Sequence, residues 1–250
     1  MRRLLIPFTD AFHGLDLCLE SGVRGLLFVA LGLVVGWWIY VPAHELLHAA
    51  ACRVAGGGVT RLEIDRLYGG ALLARVFPFV VPASEYAGRL SGFDTRGSDG
   101  IYLATDLGPF LLTLFPGVWA LRRAARSRRA AWFGAALPFA LAPFLSLGGD
   151  AYEIGSILAT RLPPWAAPAT RSLLRGDDLV KKLGELASVP GAPWGGALLA
   201  ALLGVIWAFL TYGLGSAAAR ALGEAPLAGT NTDPHGRTAT STDSGREEAS

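Results

Sequence analysis

The sequence predicts an all-α, multi-pass membrane protein with about four transmembrane helices, a β-hairpin between the first and second, and a disordered C-terminal tail. Three observations carry this. Hydrophobic residues make up 52% of the 250-residue chain and charged residues only 17%, against about 25% charged in an average soluble domain. The apolar residues gather in four long runs, each near the ~20 residues that cross a bilayer as a helix. The last stretch, 223–250, is Thr, Ser, Gly, Asp, Arg and Glu with no apolar pattern, which cannot bury enough surface to fold. Mean hydropathy is +0.42.

Taken in order, residues 1–24 mix Arg2, Arg3, Asp10, His13, Asp16 and Glu20 with apolar positions and read as an interfacial segment. The basic start lies more than twenty residues before the first apolar run, so it does not read as a cleaved signal. The first span is about 25–43, and its helix continues to about Val54. Pro42 lies inside it and removes one backbone hydrogen bond. Gly32 and Gly36 form a G-x-x-x-G pair that permits close helix contact. Gly56-Gly57-Gly58 stops the helix. The alternating Val59–Ile64, the turn at Gly69-Gly70 and the apolar 71–81 read as a hairpin, with 82–100 a polar loop.

The second span is about 101–121, the third about 130–149, and the fourth about 195–215, with a Pro-rich, charged loop at 161–194. Together, 25–222 read as one membrane-embedded domain. Between the second and third spans stand Arg122, Arg123, Arg126, Arg128 and Arg129. Basic loops stay on the cytoplasmic side, which puts Arg2 and Arg3 inside as well and makes the first and third spans run parallel. Arg24 to His44 and Arg129 to Asp150 each cover about 30 Å of helix, so His44 and Asp150 are expected at one depth.

The chemistry centres on His44-Glu45-Leu46-Leu47-His48, an H-E-x-x-H sequence at the end of the first span. Residues four apart on a helix share a face. Two neutral imidazoles there can hold Zn²⁺, with Glu45 beside it as a general base. A catalytic zinc site needs a third protein ligand. Asp150, following Gly148-Gly149 at matching depth, is the leading candidate; Glu153 and Asp106 are the others. Cys52 falls on the same face as His48 but reads as a buried residue. Cys18 and Cys52 are the only cysteines, which excludes a disulfide framework and a Cys-rich zinc site. His13 and His235 have no partner motif. A net charge of +2 gives no case for nucleic acid.

These residues resemble the site-2 protease family of intramembrane metalloproteases. The likeness rests on His44-Glu45-x-x-His48 ending a membrane helix, the Gly-rich turn and apolar stretch at 56–81, Gly108-Pro109 in the second span, and the late acid Asp150. It covers roughly 25–160, and its specific part is H-E-x-x-H. The family's aspartate stretch ends Leu-Asp-Gly, where this chain reads Leu147-Gly148-Gly149-Asp150, and Gly108-Pro109 lacks the Asn that usually follows. The resemblance implies a zinc endopeptidase of the cell membrane, cleaving membrane-protein or peptide substrates, with His44, His48 and Asp150 on the metal and Glu45 as the catalytic base. Two other readings stay open. An HtpX-type membrane zinc peptidase would use a glutamate ligand, here Glu153. A catalytically inactive membrane protein would keep the fold to bind a client or a metal.

Overall fold

The structure is a computed structural model and describes residues 2–227. A short turn leads into α1 (Ile6–Leu19), followed by the 32-residue α2 (Val23–Val54). α2 runs through Pro42, whose missing N–H leaves the Trp38 carbonyl without its helical partner. One face of α2, with Leu26, Leu27, Leu31, Val34 and Trp38, is exposed and apolar. The opposite stripe is buried: Gly25, Val29, Gly32, Gly36, Tyr40, His44 and His48, spaced three or four apart. Small residues occupy its first half and polar rings its second. Gly56, at φ +94°, follows the helix end, a conformation that favours glycine.

Beyond it stands a three-stranded sheet rather than the predicted hairpin. β1 (Gly58–Ile64) lies between β2 (Val80–Val81), parallel to it, and β3 (Gly88–Asp94), antiparallel. The expected second arm, 71–81, contributes only its last two residues as strand. Asp65 caps a turn through Leu67 N–H, Gly69 takes φ +80°, and α3 (Gly70–Leu73) follows. The run Ala71-Leu72-Leu73-Ala74 does not alternate, so nothing in its pattern favours a strand over a helical turn. The antiparallel partner comes instead from 82–100, predicted as loop, where β3 alternates in its first residues.

α4 (Asp99–Leu107) and α5 (Val118–Arg126) form one interrupted segment. Between them lie a tight turn at Gly108–Phe110 and a wide one at Thr113–Gly117, in which Phe115 is extended. Then come α6 (Ala130–Ala140), α7 (Ala142–Leu145) and α8 (Asp150–Ala159). The third predicted span is therefore broken. α6 has 11 residues, about 16 Å, too short to cross alone. The chain turns at Leu141 before Pro143, and again through Gly148 and Gly149, before α8 begins. The predicted loop 161–194 holds α9 (Pro168–Leu174), which starts on a proline, and α10 (Leu179–Ala187), capped by Asp178 on Lys181 N–H. α11 is Trp194–Ala221. Among the described residues, three segments are long and apolar enough to cross a membrane: Val23–Val54, Asp99–Arg126 and Trp194–Ala221.

Two close helix contacts organise the bundle. α2 meets α6, where a Cβ on Gly32 or Gly36 would strike the carbonyls of Ala131 and Ala135, and one on Gly134 the carbonyl of Val29. The Gly32/Gly36 pair is thus a packing seam. α8 meets α11 in the same way, with Gly155 against Ala200 and Gly204 against Ala151. A buried polar knot ties the ends of the chain to this frame. Arg122 donates to Asp10 Oδ2 (2.8 Å), Ser216 Oγ (2.6 Å) and the Glu224 carbonyl (3.1 Å). Tyr212 and Leu227 N–H also donate to Asp10. Hence α1 belongs to the bundle through Asp10 while Phe8 and Phe12 stay exposed. The tail expected from 223 is packed at its start, with Glu224 and Leu227 buried; the remainder, 228–250, with His235, lies outside the described residues.

Candidate metal centre

His44 and His48 sit one turn apart on the buried stripe of α2, at the end away from its glycines. Asp150 is the first residue of α8, reached after two chain breaks. The α8–α11 contact fixes that helix, and its first turn points back at α2. Asp150 Oδ2 lies 3.1 Å from His44 Nε2 and Oδ1 lies 3.4 Å from His48 Nε2. The two Nε2 atoms are 3.2 Å apart. One ligand atom from each of the three residues falls within 4.8 Å of the others, a group that can hold a metal ion, and among the described residues it is the one such group.

Neither imidazole is free to turn. Tyr40 Oη bonds His44 Nδ1 at 2.8 Å, and the Thr105 carbonyl bonds His48 Nδ1 at 2.9 Å. A carbonyl only accepts, so His48 carries its proton on Nδ1 and, when neutral, presents a lone pair at Nε2. That lone pair faces a carboxylate oxygen and the other ring. Asp150 Oδ2 is itself buried without a hydrogen-bond donor. The two Nε2 atoms and the carboxylate crowd one point, an arrangement that a proton on His44 Nε2 or a metal cation would hold together. Tyr40 and Thr105 were not singled out by sequence reasoning. Tyr40 could have been found, since it stands one turn before His44 on the same face; the Thr105 contact uses a main-chain carbonyl and leaves no side-chain signal.

Glu45 is buried and lines the same cleft as His48 and Asp150, a cavity of about 640 Å³. It packs beneath Gly88, the first residue of β3, where a Cβ would run into Glu45 Cγ and Cδ. Leu90, Ser91 and Phe93 of β3 also line the cleft. β3 is an edge strand with β1 on one side.

The remaining candidates fall outside the ligand group. Glu153 accepts a hydrogen bond from the Tyr102 hydroxyl, and Asp106 lines the cleft without reaching the histidines. Cys52 Sγ contacts the Gly58 carbonyl at 3.6 Å and is fully buried, as its reading as a core residue requires. His13 is exposed and stands apart on α1. Compared with known proteins, the chain matches no family model, no curated protein and no solved structure.

Proposed function

We propose that the protein is a membrane-embedded zinc metalloendopeptidase of the site-2 protease type, holding Zn²⁺ with His44, His48 and Asp150 and using Glu45 as its base. One observation carries the reading. Ligands of a tetrahedral zinc at about 2.0–2.1 Å stand about 3.3 Å apart; the two Nε2 atoms here are 3.2 Å apart, and each faces an oxygen of the same carboxylate, His44 Nε2 at 3.1 Å from Asp150 Oδ2 and His48 Nε2 at 3.4 Å from Oδ1. Two imidazole nitrogens at ligand spacing, with one carboxylate spanning both, make a donor set of the kind that catalytic zinc sites use. The Nδ1 bonds of both rings support it, since histidines that ligate metal generally donate their other nitrogen to a neighbour. Glu153 is bonded to Tyr102 rather than gathered with the histidines among the described residues, which favours this reading over the HtpX-type alternative.

A zinc ion held by His44, His48 and Asp150 would supply Lewis acidity and lower the pKa of a bound water. Glu45, on the same helix turn and facing the cleft, takes the proton from the attacking water and passes it to the leaving amine. Tyr40 and Thr105 keep the imidazoles aimed. The free edge of β3 runs along the cleft and can bind an unwound segment of substrate as an added strand; the edge expected of a 59–81 hairpin is therefore assigned to 88–94. The Arg cluster on the last turns of α5 and in the turn after it gives a cytoplasmic side, even though Arg122 is buried and Arg123 and Arg126 pair with Glu224, because the rule counts Lys and Arg rather than net charge.

The test is a purified full chain in detergent, assayed for metal content and for cleavage of a transmembrane reporter peptide. We expect about one zinc per chain, cleavage by the wild type, and retained zinc without cleavage in Glu45→Gln. Cleavage undiminished in that variant would sink the assigned role of Glu45, and a chain that binds no zinc would sink the reading as a whole.

A further inference from the structure

Beside the metal-ligand group the cleft carries two more carboxyls that the chain leaves without a counter-charge. Asp106, 3% exposed, and Glu153, 7% exposed, line it together with His48 and Asp150. Glu153 has the Tyr102 hydroxyl as a donor. Asp106 Oδ2 is buried with no hydrogen-bond partner at all. Nearly all buried polar atoms in folded proteins are bonded, and an acid within a membrane segment is costly enough to mark a site. Of the cations nearby, Arg89 pairs with Asp177 at 3.6 Å, Arg161 and Arg175 with Asp99, and Lys182 with Glu185, while Lys181 lines the cleft as an exposed residue. Among the described residues no Lys or Arg pairs with Asp106 or Glu153.

We propose that Asp106 and Glu153 form a cation-recognising subsite that takes the side chain of a lysine or arginine in a bound peptide. The proposal rests on the peptidase reading, and it names the class of substrate that reading leaves open. The cavity of about 640 Å³ is in the range that accommodates a ligand of several residues. Leu90 and Phe93 line it and offer apolar wall to the methylene stem of a long basic side chain. The charged head then supplies the donor that Asp106 Oδ2 lacks, in a charge-assisted bond of the stronger kind. The field of the cleft favours the same occupant. Six of its lining residues are Asp or Glu, and against Arg89, Lys181 and the two charges that a zinc ion would bring, the acids remain in excess. A second divalent ion is a poorer fit, because no other group of three ligand residues gathers among the described residues.

The test uses the detergent-solubilised full chain and two short Ala/Ser peptides, N-acetylated and C-amidated, that differ by one central lysine or its neutral isostere norleucine. Blocking the termini removes the α-amino group as a rival cation. Binding is read by fluorescence anisotropy, and hydrolysis by mass spectrometry of the products. The lysine peptide is expected to bind at least about tenfold more tightly. Asp106→Asn is expected to bring it down to the norleucine peptide, with Glu153→Gln as a second variant should the first not fold. Equal affinities in the wild type, binding of neither peptide, or a preference that survives both substitutions overturns the subsite. The two readings fail separately. Unselective hydrolysis of both peptides that depends on Glu45 keeps the peptidase and removes the subsite. Asp106-dependent binding of the lysine peptide with no zinc and no hydrolysis does the opposite.

Discussion

Asp150 Oδ2 stands 3.1 Å from His44 Nε2, although one residue opens a short helix after two chain breaks and the other sits deep in a long one. That pairing turns a helical motif into a group of three residues that could hold a metal ion. Asp150→Ala removes one ligand and the only carboxylate in the group, so zinc affinity is expected to fall by well over the 10–100-fold typical of losing an outer partner. Zinc content after dialysis against a graded chelator measures it. Wild-type retention in this variant would mean that Asp150 is not a ligand.

Tyr40 is the outer partner that can be removed with least disturbance. Its hydroxyl bonds His44 Nδ1 at 2.8 Å, and its ring packs edge-on against Phe139, a contact that phenylalanine keeps. Tyr40→Phe is expected to lower zinc affinity or reporter cleavage by about 10–100-fold with little change in thermal unfolding. Equal losses in unfolding temperature and activity would instead make the hydroxyl a packing element.

Gly88 tests whether the sheet positions the base. A methyl group there meets Glu45 Cγ and Cδ, so Gly88→Ala must shift the carboxylate or the strand. A displacement of about 1 Å at a catalytic group costs about 10²-fold in rate. The expected outcome is a fall of that order in cleavage with zinc content unchanged. Full activity would show that Glu45 has room to move aside without consequence.

These residues also show what sequence made legible. His44, Glu45 and His48 were readable because a helix converts spacing into a shared face. Asp150 was singled out by an equal depth that assumed an unbroken third span, and it reaches the histidines instead as the first residue of α8 after two breaks. The first and last long helices were readable from unbroken apolar runs. The third run was misleading: its composition is that of a span, but Pro143 and the Gly148-Gly149 turn divide it, and composition does not weigh a break against a length. The sheet was misread for a different reason. Ala71–Ala74 is apolar without alternation, so only tertiary pairing decides its state, and β3 was hidden in a stretch whose glycines and charges read as loop. Asp10 looked like a surface residue of an interfacial helix because its partner, Arg122, is remote in the chain.

Gly155 and Gly204 hold the helix that carries Asp150. A Cβ on Gly155 would strike the Ala200 carbonyl and come within 2.8 Å of Gly204 N, and one on Gly204 would meet Ala151. Backbone cannot yield as a side-chain end does, so Gly155→Val must separate α8 from α11. Overpacking of this sort costs typically 1–3 kcal/mol, so about that loss of stability is expected. Because Asp150 is the first residue of α8, zinc affinity should fall in step with it. Lost stability with intact zinc binding would show that the ligand is positioned by the Gly148-Gly149 turn alone.

The buried pair Arg122–Asp10 supports the opposite end of the bundle, and both side chains are fully buried. Asp10 accepts from Arg122, Tyr212 and Leu227 N–H, while Arg122 also donates to Ser216 and the Glu224 carbonyl. Removing one partner strands the other charge, which costs about 3–5 kcal/mol, whereas replacing both by apolar groups of similar size is far milder. Asp10→Leu and Arg122→Met are each expected to destabilise the detergent-solubilised chain by that amount. The double variant should lose much less than the sum, leaving zinc content unchanged because the knot does not touch the ligands. Thermal unfolding of the four proteins closes the cycle. Additive losses would show that α1 and the segment around Glu224 are held by their apolar contacts, with the ion pair contributing little.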